Sequence, residues 1–219
     1  MNVYPKNRLP VVEVRKFIIT FYIIGALGFL IPCSREFFIT ITPLALLLST
    51  YLLVVYHKRY TRRDVLIFAT IAVSGFFLEA FGVNTGIIFG HYRYGHALGL
   101  KLFHTPLLIA LNWLFLTYTA TSVSERITNK TALQLVIAPA LMVMYDLILE
   151  QLAPRMQMWS WMGQVVPVGN YLAWWVVGLL FISLIKISGI DTRNPLAPIL
   201  FVSQFLFLAV IFVVLSLFQ

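Results

Sequence analysis

Apolar residues run in blocks of about twenty along the whole chain, separated by short stretches that gather most of the charge. Seven blocks are visible, at approximately 17–31, 36–56, 65–83, 102–122, 132–150, 167–185 and 197–217. Most are long enough to cross a hydrocarbon layer of about 30 Å as a helix rising about 1.5 Å per residue. The first is short and ends at Pro32. The connections leave no room for a separate soluble domain. The pattern predicts an all-α, polytopic integral membrane bundle of about seven transmembrane helices, with residues 1–219 as a single transmembrane domain.

Composition agrees with this reading. The chain is 60% hydrophobic and 11% charged, with a mean hydropathy of +0.90, whereas a soluble domain carries about 25% charged residues. The net charge of +8 would suggest nucleic acid if it were concentrated on one face of a soluble domain. Here its distribution reports orientation. Twelve of the 16 Lys and Arg precede the first block or follow the second, fourth and sixth: Lys6, Arg8, Arg15, Lys16, Lys58, Arg59, Arg62, Arg63, Arg126, Lys130, Lys186 and Arg193. The other connections hold Arg35, Arg93, Lys101 and Arg155. This asymmetry predicts a multi-pass protein of the cell membrane with a cytoplasmic N-terminus, an extracytoplasmic C-terminus and contact with anionic lipid rather than nucleic acid. Reporter fusions after Gln219 should therefore read extracytoplasmic and fusions after Arg62 cytoplasmic; a cytoplasmic C-terminus would overturn the count of spans. The first apolar block starts late and lacks a small-residue cleavage site, so it reads as an uncleaved anchor. Cys33 is the only cysteine, which excludes an internal disulfide and a thiolate metal cluster.

On this topology the unusual polar residues share one depth. Glu79 lies about 20 Å along an outward-running third helix, and Asp146 reaches a similar height on the fifth. Glu150 follows Asp146 by one turn on the same face. Asn112 enters from the outside on the fourth helix, and Asn170 stands just before the sixth. Two loops rich in aromatics and Gly, 84–101 and 151–166, cover this level. An ionisable side chain within the membrane faces the bundle interior and marks a functional site by default. Interhelical hydrogen bonding is the competing role for each of these residues, and an aromatic belt is the competing one for Trp159, Trp161, Trp174 and Trp175. His91, His96 and His104 lack metal-ligand spacing, so no metal is expected. The last block contains no lysine for a retinal Schiff base. Neither a phosphate-binding Gly loop nor a nucleophile elbow is present, and there are no paired interrupted helices of a transporter.

The stretch Glu79-Ala-Phe-Gly-Val-Asn-Thr-Gly, then Phe89-Gly90-x-Tyr92-x-Tyr94, Leu98-Gly99-x-Lys101-Leu102 and Pro106-Leu107-x-Ile109-x-Leu111-Asn112-Trp113, resembles the bacterial and archaeal carotenoid biosynthesis membrane proteins typified by the carotenoid hydratase that acts on acyclic ends. The resemblance continues through Asp146-Leu147, Trp159-Ser160-Trp161, Val166-Pro167 and Asn170-Tyr171-x-x-Trp174, and covers roughly 65–178. The chain departs from that pattern at His91 and in reading Glu150-Gln151-Leu152-Ala153-Pro154 where an acidic-Pro pair is usual.

The resemblance implies addition of water across the terminal double bond of a carotenoid ψ-end group, giving a tertiary hydroxyl, with no redox or metal cofactor. Such chemistry needs a proton donor, a stabilised tertiary cation and a positioned water. A carboxylic acid removed from water can hold its proton near neutral pH, aromatic faces stabilise a cation, and a second carboxylate or an amide can orient the water. The catalytic candidates are Glu79, Asp146 and Glu150. The candidates for binding substrate are Asn84, Tyr92, Tyr94, Asn112, Trp113, Trp159, Trp161, Asn170 and Trp174. Expected partners are membrane lipid, the carotenoid and, by association, other enzymes of the pathway. Two other classes fit the same residues: a non-catalytic carotenoid-binding or scaffold subunit, and a small proton-coupled transporter.

Overall fold

The computed structural model describes residues 9–163 and 165–218. Lys6, Arg8 and Gln219, used above to read orientation, lie outside the described residues. The chain is 72% helical, with seven helices among the described residues: α1 (Val11–Leu30), α2 (Arg35–Tyr56), α3 (Arg62–Thr85), α4 (Leu108–Ile127), α5 (Thr131–Leu152), α6 (Val168–Ile187) and α7 (Ala197–Phe218). Four short strands lie between them: β1 (Tyr92–Tyr94), β2 (Lys101–Leu102), β3 (Thr105–Pro106) and β4 (Trp159–Trp161).

Five helices, α2, α3, α5, α6 and α7, are long and apolar enough to cross a membrane. The two that fall short have different reasons. α1 begins at Val11, earlier than the apolar block at 17, so Glu13, Arg15 and Lys16 occupy its first turns. Lys16 pairs with Glu13 at 3.0 Å, and Arg15 donates to the Pro195 carbonyl at 2.9 Å. α4 is surrounded by protein, packing against α2, α3, α5, α6 and α7. It therefore buries Thr117, Thr119, Thr121, Ser122 and Ser124 rather than an all-apolar surface. Thr119 and Thr121 return their hydroxyls to the carbonyls of Phe115 and Thr117 at 2.7 and 2.6 Å, and Ser124 to that of Thr121 at 2.8 Å, so these three are satisfied within the helix.

The fourth apolar block was expected over 102–122, and the helix instead occupies Leu108–Ile127. The reason is local. Lys101–Leu102 and Thr105–Pro106 pair as an antiparallel hairpin whose turn residues Phe103 and His104 have φ of 51° and 63°. No helix can start through left-handed residues. Apart from the early start of α1, the remaining boundaries agree to within a turn. α3 is closed at its start by a capping box, Thr61 accepting from the Asp64 amide at 3.2 Å and Asp64 from the Thr61 amide at 2.9 Å. It stops at Gly86, whose φ of 72° is the left-handed end that glycine permits.

Within a membrane the helices gain little from leaving lipid for each other, so close packing over small residues carries association. Gly75 of α3 admits Trp113 of α4, and a Cβ at Gly75 would lie 2.7 Å from the Trp113 Cβ. Gly178 of α6 lies against Met142 and Pro139 of α5. The two helix pairs α3–α4 and α5–α6 are thereby drawn together, and Trp113 stacks on Trp174 of α6 with centroids 4.5 Å apart. α1 packs chiefly on α7, and α2 on α1 and α4.

Candidate active site

β1 and β4, drawn from the α3–α4 and α5–α6 connections, pair antiparallel with Tyr92 opposite Trp161 and Tyr94 opposite Trp159. Side chains alternate along a strand. Arg93 and Ser160 are accordingly exposed, and the four aromatics turn inward. Their polar atoms divide between two carboxylates. Tyr92 and Tyr94 donate to Glu79 Oε1 at 2.7 and 2.5 Å, and Trp113 Nε1 approaches Glu79 Oε2 at 3.4 Å. Trp159 and Trp161 donate from Nε1 to Glu150 Oε2 at 2.9 and 2.6 Å. Burial, with Glu79 alongside, pushes the Tyr92 and Tyr94 phenols well above the usual tyrosine range, so both stay protonated.

The third carboxylate completes the cluster. Asn170, in the first turn of α6, donates to Asp146 Oδ2 at 2.9 Å and to Glu150 Oε1 at 3.3 Å. It thus holds the two acids of α5 in fixed relation. Asp146 Oδ1 is buried with no hydrogen-bond partner among the described residues. Three of the chain's eight acidic residues meet here, and among the described residues none of the three forms an ion pair with a cation. Leaving a buried carboxylate without a cation costs several kcal/mol unless hydrogen bonds or a proton compensate, and the Tyr, Trp and Asn donors supply the hydrogen bonds.

A cavity of about 20 Å³ lies among these groups, lined by Glu79, Tyr92, Tyr94, Ile109, Asn112, Trp113, Glu150, Trp159, Trp161, Asn170 and Trp174. That is room for about one water molecule. The cavity adjoins a far larger apolar groove of about 780 Å³ walled by α1, α2, α4, α5 and α7. Ile109, Asn112 and Trp159 line both. Asn112 makes no side-chain hydrogen bond among the described residues, so its amide is available at the junction.

The cavity therefore collects the sequence candidates, with two exceptions. Asp146 stands one turn along α5 from Glu150, fully buried and outside the lining. Asn84 lies away from the carboxylates. Its Nδ2 donates to the carbonyls of Ala80 and Phe103 at 2.7 and 2.9 Å, and its Oδ1 meets His104 Nδ1 at 2.8 Å. Asn84 ties the β2–β3 turn to the end of α3, which is a structural task. His91 and His96 are exposed and separate from His104, and among the described residues no group of three His, Cys, Asp or Glu could hold a metal ion. Sequence reasoning did not find Ile109 or the groove residues, because an apolar side chain facing a groove looks the same in sequence as one facing lipid.

A family model described as carotenoid biosynthesis protein matches residues 41–219, a span that contains every residue of the acidic cavity. No curated protein and no solved structure matches the chain.

Proposed function

Because the chain belongs to the carotenoid biosynthesis protein family, we propose that it hydrates the terminal double bond of a carotenoid ψ-end group. The observation that carries this reading is the junction itself. A water-sized cavity bearing two carboxylates adjoins an apolar groove in a membrane bundle, the two sharing Ile109, Asn112 and Trp159 in their walls. The groove suits the hydrocarbon chain, and the cavity suits the water that adds to it.

The donor inventory distinguishes the two carboxylates that line the cavity. An indole N–H only donates, whereas a phenol both donates and accepts. Glu150 faces two indoles and an amide N–H, a setting built for an acceptor. Glu79 Oε1 faces two phenols, which can reverse their hydrogen bonds when the carboxyl gains a proton. Glu79 is therefore the acid and Glu150 the base. The O–H bond of Glu79 breaks as a C–H bond forms at the CH carbon of the terminal alkene, leaving a cation on the dimethyl-bearing carbon. Trp113, Trp159 and Trp174 line the cavity, and their faces can stabilise the charge. A water held by Asn112 and Glu150 forms the C–O bond and gives its proton to Glu150. Return of that proton to Glu79 resets the site. Asp146, held through Asn170, is a positioning residue for Glu150.

The decisive experiment is expression in a host that makes an acyclic or monocyclic carotenoid, with mass spectrometry of the extracted pigment. A gain of one water per ψ-end is expected, and unchanged pigment despite a folded, inserted protein would overturn the reading. The direction of the reaction cycle also makes the outer tyrosines matter. Tyr92→Phe and Tyr94→Phe should slow hydration about tenfold to a hundredfold, by weakening a step that general acid catalysis accelerates. Tyr56→Phe and Tyr60→Phe should leave it near the wild-type rate, because those hydroxyls donate to the carbonyls of Leu9 and Val54. Equal effects at both pairs in a pigment-conversion assay would remove the cavity from the mechanism.

A further inference from the structure

Resting on that reading and deepening it, we infer that α1 selects the polyene, by walling the groove that adjoins the acidic cavity, and that the polyene enters sideways from the bilayer between α1 and α2. The family match begins at residue 41, so all of α1 (Val11–Leu30) lies outside it. The acidic cavity is built wholly from matched residues, whereas the groove takes Phe17, Thr20, Ile24, Gly25 and Phe29 from α1. The chemistry thus belongs to the shared part of the chain, and the substrate's resting place is completed by a part that the family model does not cover.

The occupant follows from size and continuity. The cavity of about 20 Å³ has room for little more than a water, so all but the reacting end of any substrate must lie in the groove. Along α1 the groove wall runs from Phe17 to Phe29, about 18 Å at about 1.5 Å per residue. Its walls are apolar along this length, as an extended hydrocarbon requires. The mouth is marked by groove residues that also face outward, with Phe17 49%, Ile24 55%, Leu44 63% and Tyr51 60% exposed. Such exposure on membrane-spanning α2 and on α1 beside it is contact with lipid tails, the medium in which a polyene dissolves. α2 carries Pro43 within its length, which removes one backbone hydrogen bond next to the groove residues Thr42 and Leu44 and lets this wall bend.

Gly25 gives the sharpest test. Its missing side chain opens the groove at mid-length, where an added Cβ would meet Phe207 Cε2 at 3.3 Å. Gly25→Leu fills the groove and raises helix propensity, and asks the Phe207 ring to give by a few tenths of an ångström. Thr20→Trp, at an exposed position on the groove wall, obstructs it nearer the mouth without disturbing packing. Ile19→Trp, outward-facing and outside the groove, is the control. Binding of a long polyene to protein in lipid nanodiscs is followed by its visible absorption, and turnover of that polyene is compared with turnover of a short acyclic isoprenoid carrying the same terminal group. Gly25→Leu and Thr20→Trp should weaken polyene binding about tenfold or more, the scale of a few methylenes in an apolar pocket, and raise the short-to-long turnover ratio by a similar factor. Ile19→Trp should match wild type. Unchanged binding in both groove variants, or equal weakening by Ile19→Trp, would overturn the inference. A wild-type protein that binds the polyene and loses it in the two groove variants, yet forms no hydrated product, would overturn the hydratase reading and leave the role of α1 standing.

Discussion

Glu79→Gln should fold, insert and bind polyene, yet form hydrated product at a rate about a hundred- to ten-thousand-fold below wild type, the range of general acid–base catalysis. The amide keeps the size of Glu79 and can still accept from Tyr92 and Tyr94 through its carbonyl oxygen, giving up only the long 3.4 Å approach of Trp113 Nε1. What it lacks is a transferable proton. If Glu79 were only an interhelical hydrogen-bonder, the loss would be small, since such bonds in membranes average about 0.6 kcal/mol. Glu150→Gln should cost nearly as much, because its amide cannot take up the proton released by the attacking water. Asp146→Asn should cost less, because Asp146 does not line the cavity. Its substitution should act on turnover through the position of Glu150, leaving polyene affinity unchanged. Pigment bound to each purified variant, read by absorption, separates failure of chemistry from failure of folding or binding. Wild-type-like hydration in both Glu79→Gln and Glu150→Gln would sink the acid mechanism assigned to these two residues.

Much of this site was legible because helical geometry makes depth and face computable from sequence number alone. The four-residue spacing of Asp146 and Glu150 and the depth of Glu79 placed three carboxylates at one level before any contact was known. The division of labour among them was not legible. It depends on β1 pairing with β4, two three-residue strands with 64 residues between Tyr94 and Trp159, and such short strands leave no periodic signal. The pairing alone delivers phenols to Glu79 and indoles to Glu150. Asn84 was misplaced for a related reason. Its partners are a carbonyl and an imidazole in a turn of left-handed residues, and nothing about Phe103 or His104 as residue types announces that conformation. The late start of α4 has the same cause. The groove escaped notice because Phe17, Leu44 and Leu47 read as lipid-facing residues, and only the spread of α1 and α2 over α4 and α7 shows that they flank a cavity.

The pairing of β1 with β4 makes a second large effect expected at a residue that touches no carboxylate. Gly95 directly follows β1, donates its amide to the Met158 carbonyl at 2.7 Å, and is flanked by a bond from the Ala97 amide to the Gln157 carbonyl at 3.2 Å. A Cβ on Gly95 would sit 2.1 Å from the Gln157 carbonyl oxygen and 2.8 Å from its carbon. Both are backbone atoms, so no side chain can swing aside. Gly95→Ala must push the 92–97 segment away from 157–161, separating the phenols on Glu79 from the indoles on Glu150. Overpacking of this kind costs about 1–3 kcal/mol, which for a chain of this size lowers the melting temperature by roughly 2–12 °C. The effect on turnover should be larger than the effect on stability. A displacement of about 1 Å in a positioned site can cost about a hundredfold in rate, and here it falls on both carboxylates at once. Gly163→Ala is the matched comparison, since a Cβ there meets nothing within 4 Å, and it should change neither quantity. Thermal unfolding in detergent and pigment conversion in the same preparations read the two effects side by side. If Gly95→Ala hydrates at the wild-type rate with an unshifted melting curve, the two loops do not need to be joined for the site to work, and the assignment of Tyr92, Tyr94, Trp159 and Trp161 to it fails with them.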